Sequence, residues 1–138
     1  MSYTVKRIAP EFIVQRWDEI KDYIDNALKY AENDYSLDQV KVFLTSNTWL
    51  LLAAFDVNNN IKGVATVSFI NMPNDRIAFI TTIGGRSISD PEIFQQFTNI
   101  LKQFGATKLQ GAARESIARL WKRNLGFRER HTIVEKQI

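Results

Sequence analysis

The chain has 138 residues, no cysteine, a single histidine and a formal net charge of +3 at pH 7. This length suits one domain, the lack of cysteine excludes disulfides and thiolate chemistry, and one histidine without cysteine argues against a structural zinc site. The longest wholly apolar run, residues 49–55, is too short to cross a bilayer. We therefore expect a single domain over residues 1–138, located in the cytoplasm, with no metal site and no membrane segment.

The first third of the chain predicts a strand followed by two helices. Residues 4–8 form a short strand, and from residue 12 apolar side chains recur at gaps of three and four, the period of one helix face. After a polar break at 32–35, Ser36 and Gln39 have the spacing of a capping box and begin the second helix. The apolar positions of the first helix are Ile13, Trp17, Ile20, Ile24, Ala27 and Ala31.

The middle third predicts three antiparallel strands. Residues 48–56 are almost continuously apolar, as expected of a strand buried on both faces. Residues 64–70 alternate between the two faces of a second strand, and residues 76–83 form a third. The short polar turns between these strands predict an antiparallel meander.

The last third predicts two further helices and two strands. Asp90 and Pro91 are typical of a helix start, and Gly105 is typical of a helix end. The helix between them carries an apolar stripe of period 3.6. The remaining elements are a strand at 108–112, a helix at 114–125 with Trp121 inward, and a closing strand at 128–138.

The complete order is β-α-α-β-β-β-α-β-α-β, which predicts an α/β (α+β) fold with a mixed, mostly antiparallel sheet. The strands on either side of helix 91–104 should run parallel, since a helical crossover joins them. Such a pair can splay at its carboxyl ends, where ligands bind. We therefore expect a ligand site beside residues 83–89.

The turn Gly84-Gly85-Arg86 lies at this point of the sequence. Glycine lets the backbone approach a ligand closely, arginine is a bidentate phosphate donor, and a helix N-terminus carries partial positive charge. Together they favour a cradle for a pyrophosphate. The same glycines also suit a bulge or a tight turn without any ligand, so both interpretations stand at this stage.

Residues 118–127, ARLWKRNLGF, resemble the A-x-x-L-Y-x-K-x-G-F-like end of the late helix in the GNAT N-acetyltransferase superfamily. The element order is similar as well. The Gly84-Gly85-Arg86 turn also resembles a divergent, phage-encoded GNAT-like subgroup that includes small internal virion proteins. The likeness in order covers nearly the whole chain, and it is specific over about residues 76–130.

The resemblance implies that acetyl-CoA binds as a co-substrate between the splayed strands and that its acyl group passes to an amine. It leaves the catalytic acid and base unassigned. The cofactor-binding residues that it implies are Ile83, Gly84, Gly85, Arg86, Ser87 and Ser89. A phage-encoded protein of this kind would lie in the host cytoplasm or in the virion interior.

Two departures from the family pattern keep a second interpretation open. Ser89 and Pro91 stand where the family has glycines, and Asp90 would place a carboxylate beside the pyrophosphate. Lys122 stands where the family has a tyrosine, the presumed proton donor to the thiolate. The chain is therefore either an acyl-CoA N-acyltransferase or a catalytically silent GNAT-fold phage or prophage structural protein. Whether it is an enzyme is left open.

Three other features have both a functional and a structural interpretation. His131 could act as a general base, but its charged neighbours favour an exposed strand position. Glu32 and Asp34 could attract an amine, or simply solvate a loop. The basic C-terminal third, with nine basic and three acidic residues over 102–138, lacks any nucleic-acid motif, so we expect no nucleic-acid partner. The oligomeric state is left unassigned.

Overall fold

The computed structural model describes residues 2–32 and 34–138; Met1, and Asn33 from the predicted break at 32–35, lie outside the described residues. The strands are β1 (Thr4–Arg7), β2 (Leu50–Phe55), β3 (Ile61–Asn71), β4 (Arg76–Gly85) and β5 (Lys108–Gly111). The helices are α1 (Pro10–Leu28), α2 (Leu37–Thr45), α3 (Pro91–Gln103) and α4 (Glu115–Asn124). A short 3-10 helix at Arg86–Ile88 joins β4 to α3.

The five strands form one sheet in the order β1-β2-β3-β4-β5. The first three pairings are antiparallel, whereas β4 and β5 run parallel. This arrangement confirms the predicted mixed sheet with one parallel pair. The parallel pair arises because α3 carries the chain from the end of β4 back to the start of β5.

One face of the sheet is covered by α1 and α2. Ile13, Ile20 and Ile24 of α1 are at most 1% exposed and belong to the same buried cluster as the β2 side chains on this face. The capping box predicted for α2 is formed, since the Gln39 N–H donates to Ser36 Oγ and the Ser36 N–H donates to Gln39 Oε1. α2 therefore begins where its capping box predicts, and the apolar stripe of α1 faces the sheet.

The opposite face is covered by α3 and α4. Ile93, Phe97 and Leu101 place the apolar stripe of α3 against the sheet, each 3% exposed or less. Trp121 of α4 is 4% exposed and packs edge-on against Phe94, so its predicted inward position is confirmed. None of the helices among the described residues is long and apolar enough to span a membrane.

The predicted closing strand over 128–138 is wrong. From residue 126 to residue 138 the chain forms neither strand nor helix, and Ile133 and Val134 are 86% and 88% exposed. The two are neighbours in sequence, so a strand would turn them to opposite faces and give neither face an apolar row. β5 consequently forms an edge of the sheet.

Candidate active site

The parallel strands separate beyond the middle of β4. Their pairing runs from Ile77 opposite Lys108 to Ile80 opposite Gly111. β4 then continues to Gly85 and is paired over this second half with β3 alone. The gap expected beside Ile83 is therefore present.

A β-bulge lies next to this gap. Thr66 of β3 faces Thr82 of β4, but the following residue, Val67, faces Ile80. Thr81 is thus an extra residue in β4. A bulge bends its strand and increases the local twist, so it favours the separation of the second half of β4 from β5.

A cavity of about 620 Å³ occupies the gap. This volume lies in the range of small-molecule sites. Its walls come from the end of α1 and the loop that follows, the second half of β4, the segment after β5, and the inner face of α4. The lining includes Tyr23, Asn26, Tyr30, Glu32, Asp34, Tyr35, Phe79, Thr81, Thr82, Ile83, Gly84, Gly85, Ala113, Arg114, Ile117 and Trp121.

The charged part of this lining lies in the loop after α1 and at the start of α4. Glu32 and Asp34 are both exposed, and both line the cavity. The guanidinium carbon of Arg114 lies 3.9 Å from the centroid of the Tyr30 ring, a cation–π contact. Because Arg114 is the N-cap residue of α4, this contact joins the loop after α1 to the start of α4.

The glycines of the turn are required by close packing. A Cβ on Gly84 would lie 2.9 Å from the backbone oxygen of Tyr23, and a Cβ on Gly85 would lie 2.5 Å from that of Lys62. Gly85 also has a φ of 69°, in the left-handed region that favours glycine. Packing of the protein against itself therefore accounts for both glycines, while the backbone that they form lines the cavity.

The N-terminus of α3 has its own internal partner. Asp90 Oδ1 accepts hydrogen bonds from the N–H groups of Glu92 and Ile93, at 2.9 and 3.2 Å. The Phe94 N–H donates to the Asp90 carbonyl oxygen, and Pro91 has no N–H to donate. The helix amides that an anion could use are thus occupied by the Asp90 carboxylate, as the departure from the family pattern suggests.

The other residues of the predicted cradle differ in their surroundings. Arg86 is exposed, and no hydrogen bond or ion pair of its side chain occurs among the described residues. Ser87 is fully buried and its Oγ has no hydrogen-bond partner in the described part of the chain. Ser89 is exposed. Of the six predicted residues, Ile83, Gly84 and Gly85 line the cavity.

The residues considered for proton transfer lie elsewhere. Lys122 Nζ donates to Glu129 Oε1 at 2.8 Å and is not part of the cavity lining. That hydrogen bond lowers the pKa of the Glu129 carboxyl. His131 is exposed in the segment after α4 and does not line the cavity either. Of the candidates, only Glu32 and Asp34 meet the cavity.

Sequence reasoning missed the threonines of the cavity floor. Thr81 and Thr82 line the cavity and form hydrogen bonds with the buried Thr66. The one signal in the sequence was the presence of three threonines in the middle of two largely apolar strands. The contact of both threonines with Thr66 depends on the bulge, and no local sequence pattern predicts that bulge.

No family model matches the chain, and no curated protein matches it either. Solved structures do resemble it. The aminoglycoside 6'-N-acetyltransferase AAC(6')-Ih from Acinetobacter baumannii is 19% identical, with 99% of each chain covered and a TM-score of 0.68. A GNAT family acetyltransferase from Staphylococcus aureus is 12% identical over the whole of both chains, with a TM-score of 0.66.

The chain has the GNAT acetyltransferase fold. A predicted acetyltransferase from Clostridium acetobutylicum, solved with acetyl-CoA, shares this fold at 16% identity and a TM-score of 0.63, with 99% of this chain and 96% of that chain covered. At these sequence identities the likeness is one of fold alone. None of these three neighbours is described as a phage or virion protein.

Proposed function

We propose that this protein transfers an acyl group from coenzyme A to an amine. The observation that carries the proposal is the gap between β4 and β5, which opens a cavity of about 620 Å³ at the carboxyl ends of the parallel pair. That is where ligands bind in sheets of this kind. The acetyl-CoA bound to one fold neighbour supports the same donor here.

We assign the thioester arm to the gap, along the backbone of Ile83, Gly84 and Gly85. The unpaired side of β4 offers backbone groups to the thioester carbonyl and the arm. The pyrophosphate would lie against Arg86, whose guanidinium pairs with none of the described residues, and beside Ser87 and Ser89. The amides of α3 would contribute only if Asp90 released them, so Arg86 is the main phosphate ligand in this proposal.

The acceptor amine would enter past the loop after α1. Glu32 and Asp34 would attract its ammonium form, and either carboxylate could take the proton that must leave before the nitrogen attacks. The new C–N bond then replaces the C–S bond, and the coenzyme departs as its thiol. Alignment of the two substrates in one cavity would supply most of the rate enhancement.

The donor half of the proposal is tested by calorimetric titration with acetyl-CoA. We expect binding that Arg86→Ala weakens about tenfold, because one charge-assisted phosphate contact is lost. Arg123→Ala is the matched control, since Arg123 is exposed on α4 and does not line the cavity. No heat with the unaltered protein at millimolar acetyl-CoA would overturn the proposal.

Turnover can be measured by release of the coenzyme thiol with a panel of amines. The chain has no cysteine, so a thiol reagent gives no background from the protein. We expect Glu32→Gln combined with Asp34→Asn to lower the rate without changing acetyl-CoA binding. Binding of acetyl-CoA without turnover on any amine would favour the second candidate.

That second candidate is a catalytically silent protein with the GNAT fold. The observation that favours it is the occupied N-terminus of α3, together with the pairing of Lys122 with Glu129 away from the cavity. A structural or accessory role in a phage or prophage remains a proposal drawn from the sequence resemblance alone. Asp90→Asn keeps the helix cap but removes its charge, so a gain in acetyl-CoA affinity would show that this carboxylate holds the phosphates off.

A further inference from the structure

Three threonine hydroxyls meet at the bulge on the floor of the cavity. Thr66 Oγ1 lies 2.7 Å from Thr81 Oγ1 and 2.6 Å from Thr82 Oγ1, and Thr81 Oγ1 donates to the backbone oxygen of Thr66 at 3.0 Å. Thr66 is fully buried and does not line the cavity, whereas Thr81 and Thr82 do. We refer to these three residues as the threonine cluster.

The three contacts of the threonine cluster can all be hydrogen bonds in only one arrangement of the hydroxyl protons. Each hydroxyl has one proton. The Thr81 proton goes to the Thr66 backbone oxygen, so the Thr66 proton must fill the contact with Thr81 Oγ1. The contact between Thr66 and Thr82 then requires the proton of Thr82. The chain of donation runs from Thr82 to Thr66 to Thr81.

All three protons are therefore used inside the threonine cluster. Thr82 Oγ1 accepts no hydrogen bond within the cluster and keeps its lone pairs, and Thr81 Oγ1 keeps one. A group in the cavity can only donate to these two oxygens. A cavity floor of this polarity would favour a ligand that carries N–H donors.

We propose that Thr82, with its hydroxyl oriented by Thr66, accepts a hydrogen bond from the acceptor amine and positions the nitrogen for attack. This inference rests on the proposed function for its chemistry, but the hydrogen-bond polarity does not depend on it. Thr82 contacts the substrate in this view. Thr66 is a positioning residue, which acts by holding the proton of Thr82 away from the cavity.

The inference is tested first without coenzyme A, by NMR titration of protein with labelled threonine methyl groups. The two probes are benzylamine, which donates hydrogen bonds, and methyl phenyl ether, which only accepts them. We expect benzylamine to shift the Thr81 and Thr82 methyl signals and the ether to shift them little. Signals that stay unmoved at saturating benzylamine would overturn the inference, whether or not acetyl-CoA binds.

Thr66→Val gives the sharper result because it removes a hydroxyl that no ligand touches. Thr82 then keeps its proton free for the cavity, so we expect the ratio of ether to benzylamine affinity to rise about tenfold, the size of one hydrogen bond. Thr66→Ser keeps the hydroxyl and should restore the original ratio. An unchanged ratio in Thr66→Val, with the fold intact by circular dichroism, would contradict the inference.

The same variants connect the inference to turnover. With any amine that is acylated, Thr82→Val and Thr66→Val should raise KM for the amine about five- to tenfold and leave acetyl-CoA affinity unchanged. Thr98→Val is the control, since the Thr98 hydroxyl donates to the Phe94 carbonyl within α3 and Thr98 does not line the cavity. If the unaltered protein did not bind acetyl-CoA, the proposed function would be refuted. The benzylamine and ether titrations would still test the hydrogen-bond polarity of the threonine cluster.

Discussion

Gly85 and Gly126 both have a positive φ but differ in their surroundings. Their φ angles are 69° and 76°, both in the left-handed region that side chains disfavour. A Cβ on Gly85 would meet the Lys62 oxygen at 2.5 Å, whereas a Cβ on Gly126 would meet nothing within 4 Å. Gly85 thus combines a positive φ with a close approach at the cavity, whereas Gly126 has the positive φ alone.

We expect Gly126→Ala to lower the free energy of unfolding by about 1–2 kcal/mol, the cost of the conformation alone. Gly85→Ala should cost more, because β3 or β4 must also move to admit the methyl group. Urea denaturation of the two variants measures the difference, provided that the dependence of the unfolding free energy on urea concentration has the same slope in both. Equal losses would mean that the turn beside the cavity is more compliant than its packing indicates.

At the scale of elements, Asp75 anchors the closed end of the parallel pair. Its carboxylate accepts from Lys108 Nζ and from Thr107 Oγ1, both at 3.0 Å, which ties the turn before β4 to the start of β5. The hydrogen bond from Lys108, followed by the one from Thr107, lowers the pKa of Asp75. The strands are thus held together at one end, and they separate only at the other, where the cavity lies.

The lowered pKa of Asp75 predicts a pH dependence of stability. The stabilisation that the Asp75 carboxylate provides is fully present above its pKa of about 4 in the unfolded chain. It is lost as the pH falls through the lower pKa of the folded protein. Asp75→Asn should therefore be less stable than the unaltered protein near pH 6, and this difference should shrink below about pH 4. Urea midpoints measured across that range provide the test. A difference in stability that stays constant with pH would show that the Asp75–Lys108 ion pair does not contribute to stability.

At the scale of the whole molecule, the segment after α4 contributes little packing beyond Phe127. The Phe127 ring lies 5.0 Å from the Trp121 ring, centroid to centroid, and packs against the core. All residues from Arg128 to the end of the described chain are exposed. Their one described ion pair, between Glu129 and Lys122, lies on the surface, where such pairs contribute little.

Removal of residues 131–138 should change the free energy of unfolding by less than about 0.5 kcal/mol, because exposed termini carry few contacts. Phe127→Ala, the matched change just before this segment, should cost roughly 2–3 kcal/mol because its ring is half-buried against the core. Denaturant titration of both variants measures the two changes in the free energy of unfolding. A larger loss in the truncated chain would mean that Ile133, which reaches the cavity lining, supports the site.

The predictions that succeeded depend on interactions between near neighbours in sequence. The Ser36–Gln39 capping box, the Asp90 cap and the positive φ of Gly105 are local, and each is formed. The apolar stripe of α3 and the inward Trp121 follow from a period of 3.6 and are confirmed as well. The prediction of a closing strand failed because a strand must pair with the edge of a sheet. The sequence near residues 128–138 does not show whether such pairing occurs.

The order of the elements from β1 to α4, the caps of α2 and α3 and the parallel pair were determined by sequence, because propensity, capping and the short reach of a helical crossover act locally. The tertiary structure alone decided which side chains meet in the gap. The bulge at Thr81, the contact of Thr66 with Thr82 and the lining of one cavity by both Glu32 and β4 bring together residues that are distant in sequence. Such contacts depend on strand register and twist, which arise only when the whole sheet packs.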